Sequence, residues 1–289
     1  MMLKRMMIII FGFFLSIYGC TPQRLAINAA ASLIDFNLIS FNEEEDPELA
    51  KIAGASNLKL LEGLIKADPS NERLLIWAAQ AFGGYAFLFV EDDDSKRAEM
   101  LYKRGADYGL RVLKKKGGFK KALKGDIEEF KSSLKDFDKE DISSLFWTTY
   151  CWGGWINLNR DSPQALVGIP KVKLLMERIL VLNEEYYYGS PHLLLATYYS
   201  SRPRMLGGDP EKAKHHFERA VSLSKGKFLI SYFLYARFYA VQVQDEELFK
   251  RLIDKVLETS PDILPEQRLS NQVAKRKAKG SLRDMAQYF

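Results

Sequence analysis

Few side chains in this 289-residue sequence could do bond-making chemistry, and most are spaced wrongly for it. The histidines are His192, His215 and His216, and the cysteines are Cys20 and Cys151. Adjacent histidines on a helix point about 100° apart and cannot share one ion with good geometry. His215 and His216 are therefore expected on the surface, and no metal or cofactor is expected. Ser132-x-x-Lys135 and Ser222-x-x-Lys225 have the spacing of serine–lysine acyl-transfer enzymes. Both fall in charged amphipathic stretches without the companion motifs, so chance explains them. The sequence holds no Gly-x-Gly-x-x-Gly, phosphate-binding loop or Gly-x-Ser-x-Gly. It reads as a protein that is not an enzyme.

What remains is chemistry of recognition. Arg202 and Arg204 flank Pro203 ahead of Leu206-Gly207-Gly208-Asp209. Guanidinium forks suit carboxylates, so the pair could hold an organic acid or make an ion pair with Asp209 or a neighbouring carboxylate. Phe82-Gly83-Gly84-Tyr85 recurs 70 residues later as Trp152-Gly153-Gly154-Trp155, with Asn157 just beyond. A glycine inside a helix costs roughly 1 kcal/mol relative to alanine. Something must offset that, either close packing of two helices or room for a ligand or partner beside an aromatic wall. Tyr188, His192 and Tyr199 belong to a tyrosine-rich stretch. His192 fits a satisfied structural histidine or a polar group in a cleft, and a few of the tyrosines could line that cleft.

Helices must position these groups. Apolar residues recur at three and four spacing, and period-two strand patterns are nearly absent. The pattern predicts helices over 23–40, 47–66, 72–90, 95–115, 119–136, 140–158, 170–182, 190–201, 210–224, 228–242, 245–259 and 263–278. Turn and cap chemistry separates them, as in Gly207-Gly208-Asp209-Pro210, where Asp209 can cap a helix that has Pro210 in its first turn.

The first residues read as a targeting segment. Lys4 and Arg5 precede an apolar run of about 13 residues, short of the ~20 a bilayer-spanning helix needs. The run ends in Leu15-Ser16-Ile17-Tyr18-Gly19-Cys20, which resembles a bacterial lipobox. We expect a signal peptide over 1–19, acylation at the Cys20 thiol, a lipidated segment over 20–45 and a repeat domain over 46–289.

Within that domain, tetratricopeptide-like offsets recur. Leu75, Ala78, Ala79 and Phe82 are followed by Ala98 and Tyr102; His192, Leu195, Ala196 and Tyr199 by Ala213, Phe217 and Ala220; and Phe233, Ala236 and Ala240 by Phe249, Ile253 and Val256. Small residues let paired helices approach and large ones fill the facing grooves. The expected fold is all-α, a solenoid of helix hairpins with a concave surface.

The run from Tyr187-Tyr188-Gly189-Ser190-Pro191-His192 through Leu206-Gly207-Gly208-Asp209-Pro210-Glu211-Lys212-Ala213, with Trp152-Gly153-Gly154-Trp155-Ile156-Asn157 and Tyr235-Ala236-Arg237-Phe238-Tyr239, resembles the T component of TRAP transporters, the tripartite ATP-independent periplasmic systems. The resemblance implies a periplasmic lipoprotein, held to the envelope membrane by its N-terminal lipid, that partners a periplasmic solute-binding protein. It also implies a homo-oligomer, such as a trimer with a central opening, and substrates that are mostly organic acids. A scaffold lipoprotein that organises envelope assemblies without a ligand is the other reading.

The net charge of +5 is modest for this length. Residues 266–289 hold six Lys/Arg and two acids, with Lys275-Arg276-Lys277-Ala278-Lys279 at the centre. Export argues against nucleic acid as the partner of this basic tip. A solvated terminal helix is expected, with anionic lipid or an acidic partner as the alternative.

Overall fold

The computed structural model describes residues 33–289. Cys20 and the targeting segment lie outside the described residues. Residues 33–42 are helical and are followed by α1 (Pro47–Ala67), α2 (Glu72–Phe89), α3 (Ser95–Leu113), α4 (Gly117–Ala122), α5 (Ile127–Ser133), α6 (Ile142–Leu158), α7 (Pro163–Leu182), α8 (Tyr186–Ser200), α9 (Pro210–Leu223), α10 (Leu229–Leu234), α11 (Glu246–Glu258) and α12 (Arg268–Arg283). Helix α10 continues as a π-helix over Tyr235–Ala240. No strand occurs among the described residues, and none of their helices is long and apolar enough to cross a membrane.

Local chemistry explains where the helices begin. Asp46, Asn71, Asp94, Asp126, Asp209 and Asp245 each accept a backbone N–H of the first turn they precede, which satisfies donors the helix cannot. Several boundaries differ from the periodicity: α8 starts at Tyr186 and not at 190, α12 spans Arg268–Arg283 and not 263–278, and two further stretches differ for a local reason. The stretch 119–136 is two short helices, because the chain turns at Leu123-Lys124-Gly125. Helix α7 begins at Pro163 and runs through Pro170. Its first turns are held by packing: Ala165 is fully buried and Gly168 lies against Trp152 and Ile156, which offsets the hydrogen bond Pro170 cannot make.

The hairpins α2–α3, α6–α7, α8–α9 and α10–α11 stack in chain order, with α3 also packed along α6. The repeat residues named above are buried throughout. The chain curves until α12 meets α1. That closure corrects the reading of the basic tip as solvated or bound to an outside surface. Lys277, only 3% exposed, pairs with Asp92 at 2.7 Å. Arg276 reaches Glu48 and the Leu88 carbonyl. Lys275 donates to the Leu257 and Thr259 carbonyls.

Candidate functional site

The closed curve leaves an apolar chamber of about 180 Å³ between α2, α6, α7, α8, α10 and α12. Its wall is built from helical stripes. Helix α2 contributes Gly84, Phe87 and Leu88, with Glu91 one turn on; α6 contributes Phe146, Tyr150, Gly153, Gly154 and Asn157; α8 contributes Ser190, Leu194, Thr197 and Tyr198. These positions repeat at three, four and seven, so each helix turns one face inward. Leu234 and Phe238 complete the wall. A second, larger space of about 970 Å³ shares Phe87, Glu91, Asn157, Ser201, Leu234 and Phe238 with the chamber. Its other walls are charged, with Lys51, Arg160, Arg237, Arg276, Lys277 and Arg283 against Glu48, Asp92, Asp93 and Asp284. The chamber thus opens through a neck into a polar vestibule.

The two Gly-Gly pairs serve both purposes that their cost called for. A Cβ on Gly83 would lie 2.6 Å from Cys151 Sγ and 3.0 Å from the Tyr150 ring, so Gly83 lets α2 and α6 touch. Gly105 on α3 meets the same sulfur. Cys151 is fully buried, donates to the Ala79 carbonyl at 3.1 Å, and is held in its thiol form because burial pushes its pKa up. Gly84 has nothing within 4 Å of an added Cβ and opens onto the chamber. In the second pair, a Cβ on Gly154 would fall 2.7 Å from the Tyr102 ring, whereas one on Gly153 would meet only Met176 and Val172 at ordinary contact distance.

Of the residues singled out by sequence, Gly84, Gly153, Gly154, Asn157 and Arg202 line the chamber. The others do not. Phe82 is buried in the core under Tyr108 and the Arg104 guanidinium. Tyr85 packs on Gly54 and Phe41, away from the chamber. Trp152 covers Gly168. Trp155 packs behind the wall with its indole N–H buried and without a partner among the described residues. Tyr188 stacks on Phe228. Arg204 is exposed outside both spaces.

His192 and Tyr199 join a different cluster. His192 Nδ1 lies 2.8 Å from His216 Nδ1, and His192 Nε2 lies 3.0 Å from Glu184. Tyr199 stacks on the His216 ring, and Arg219 grips Glu184 with two hydrogen bonds. His215 is exposed as expected, but His216 is not a free surface residue; it ties α9 to α8. Burial and then the neighbouring histidines lower His216 to about 4. The Arg219 and His192 hydrogen bonds hold Glu184 at about 2.

Two local devices aim wall residues. Tyr187, Tyr188 and Gly189 are consecutive left-handed residues, with φ of 44°, 60° and 78°. The turn tips Tyr187 into the wall, where its hydroxyl donates to Gln267 Oε1 at 3.0 Å and its ring meets Trp147 edge-on. The Leu206-Gly207-Gly208-Asp209 run is the second device. Gly207 is left-handed at φ 89°, and a Cβ on Gly208 would fall 1.8 Å from the Arg202 carbonyl. Asp209 caps α9 and pairs with Lys212. The anticipated Arg202–Asp209 ion pair is absent. Arg202 instead lies on the Tyr198 ring at 4.2 Å and donates to the Tyr198 carbonyl.

Sequence reasoning missed Phe87, Leu88, Glu91, Tyr150, Arg160, Arg237 and Phe238. Their spacing is the same helical spacing that marks core, so no pattern separates wall from interior. Glu91 lies at the neck. Burial raises its pKa, opposed by Lys277 and by the Tyr102 hydroxyl, which donates to it at 2.5 Å.

Residues 43–289 match the family model described as TAtT, the TRAP transporter T-component. No curated protein matches the chain.

Proposed function

The chain belongs to the TRAP transporter T-component family, an accessory component of a transport system, and from that premise we propose a lipid-anchored periplasmic subunit that docks a solute-binding protein and takes a small, partly apolar acid into its chamber. The observation that supports the ligand half of this reading is the chamber itself. It is walled by Phe87, Tyr150, Leu194 and Phe238, and it reaches a polar vestibule through the neck at Asn157 and Ser201. Apolar walls with a few placed polar groups suit a small amphiphile. Acylation at Cys20 holds the protein at the envelope membrane, and self-association completes the assembly.

The test is capture of the full chain from solubilised envelope, followed by calorimetric titration with any solute-binding protein that co-purifies or is encoded beside it. A specific complex is expected. Absence of binding to any co-encoded solute-binding protein removes this reading in favour of a ligand-free scaffold.

A further inference from the structure

Three arginines meet the neck without an acidic partner. Arg160 lines the vestibule and bonds to the Asn157 carbonyl and side chain. Arg202 lines the chamber and donates to Ser201 Oγ at 3.2 Å. Arg237 lines the vestibule from the π-helix, next to Phe238. Asn157, Ser201 and Phe238 are all residues shared by the two spaces, so each arginine is joined to the neck through a bonded or adjacent residue. Two of the guanidinium groups sit over tyrosine rings: Arg202 over Tyr198 at 4.2 Å and Arg237 over Tyr288 at 4.4 Å. That contact anchors a cation while leaving its fork edges for other acceptors.

The neighbouring carboxylates are otherwise engaged. Glu48 pairs with Arg276, Asp92 with Lys277, and Glu91 takes the Tyr102 hydroxyl. Asp93 and Asp284 are exposed. None of the three arginines forms an ion pair among the described residues. Burial and the like charge of Arg237 lower Arg160; burial also lowers Arg202, with Arg160 adding to it. Glu91 at the neck acts on Arg237 and Asp161 acts on Arg160 without forming an ion pair, so the three like charges are only partly balanced in the empty site and gain when an anion bonds to their forks.

We propose that Arg160, Arg202 and Arg237 form a head-group site at the neck for an amphiphilic anion, whose carboxylate or phosphate bridges the guanidinium forks while its apolar body fills the chamber. This inference rests on the chamber reading above. It adds the end at which the ligand's charge is held and two arginines with no earlier role. It also removes Arg204 from the site.

Calorimetry on the full chain in lipid nanodiscs, with hexanoate, hexyl phosphate and the neutral isostere hexanamide, tests it. Charge-assisted hydrogen bonds lead us to expect the anions to bind at least about tenfold tighter than the amide. Higher salt should weaken the anions only. Arg160→Gln, Arg202→Gln and Arg237→Gln should each erase most of that preference and leave the amide affinity within about twofold. Arg237→Lys keeps the charge and should retain part of the preference, a readout available if a glutamine variant folds poorly. Preference for hexanoate points to a free acid, and preference for hexyl phosphate points to a lipid-type head. Equal affinity of anion and amide for the wild type, or an anion preference that survives all three glutamine changes, overturns the head-group site and leaves the chamber standing. No binding of any probe overturns the chamber reading and this one with it.

Discussion

An added methyl group at Gly83 would bring a carbon within 2.6 Å of Cys151 Sγ, whereas at Gly84 it would meet nothing within 4 Å. Gly83→Ala should therefore lower stability by about 1–3 kcal/mol through overpacking. Gly84→Ala should be neutral or stabilising, since alanine is the better helix former. Denaturant unfolding of both variants checks the contrast, and equal losses would contradict it. The histidine pair makes a second prediction at this scale. His216 titrates near 4 when folded, against 6.5 in an unfolded chain. As pH falls below about 6.5 the unfolded chain takes up the proton first, so this contribution to stability is lost between 6.5 and 4 and changes no further below that. Glu184, with its pKa at about 2, adds a loss in the same direction as pH falls from 4.5 toward 2. The melting temperature should drop across pH 6.5–4, and His216→Gln should flatten the drop. A wild-type profile that is level over that window would exclude the pair as its source.

At the scale of elements, the strained segment is the Tyr187–Gly189 turn. Left-handed backbone costs L-residues roughly 1–2 kcal/mol each, and here Tyr187 and Tyr188 both carry it. Contacts with Gln267, Trp147 and Phe228 offset the cost. Gly189 has φ 78°, and its Cβ would lie 3.0 Å from Leu223. Gly189→Ala should cost about 2 kcal/mol and loosen α8 from α9, read by hydrogen exchange at the start of α8. Unchanged exchange there would show that the turn is not under constraint. The Leu206–Asp209 run does its work at the same scale. Its glycines bring the chain back over the Arg202 carbonyl, and Asp209 starts α9.

For the whole molecule, closure by α12 decides whether a chamber exists at all. Lys277 is nearly buried, pairs with Asp92 and lies over the Phe87 ring at 4.6 Å. Asp92 is more than half exposed and stays hydrated without its partner, so the loss comes from the packed Lys277 stem and from the positive charge that acts on buried Glu91. Lys277→Ala should lower stability by about 1–2 kcal/mol. It should also increase hydrogen exchange in α1 and α2, whereas Lys250→Ala on the solvent face of α11 should do neither. If exchange rises only in α12, the ring of helices is not held shut by this contact.

The amino-acid sequence by itself determined the helices, their caps and the hairpin repeats, because helix periodicity and Asx capping are local and survive translation into any tertiary context. It also marked Gly84, Gly153, Gly154, Asn157 and Arg202, whose unusual types in helical surroundings needed a reason. The tertiary structure alone decided which apolar stripe faces a chamber and which faces core. A wall residue such as Phe87 and a core residue such as Phe82 share one helix and one chemistry, and they differ only in what stands opposite. It likewise decided the fate of charge. Curvature accumulated over four hairpins brings α12 back to α1, so a basic terminal helix becomes a closing latch. The same curvature gathers Arg160, Arg202 and Arg237, drawn from three separate stretches of chain, at one neck.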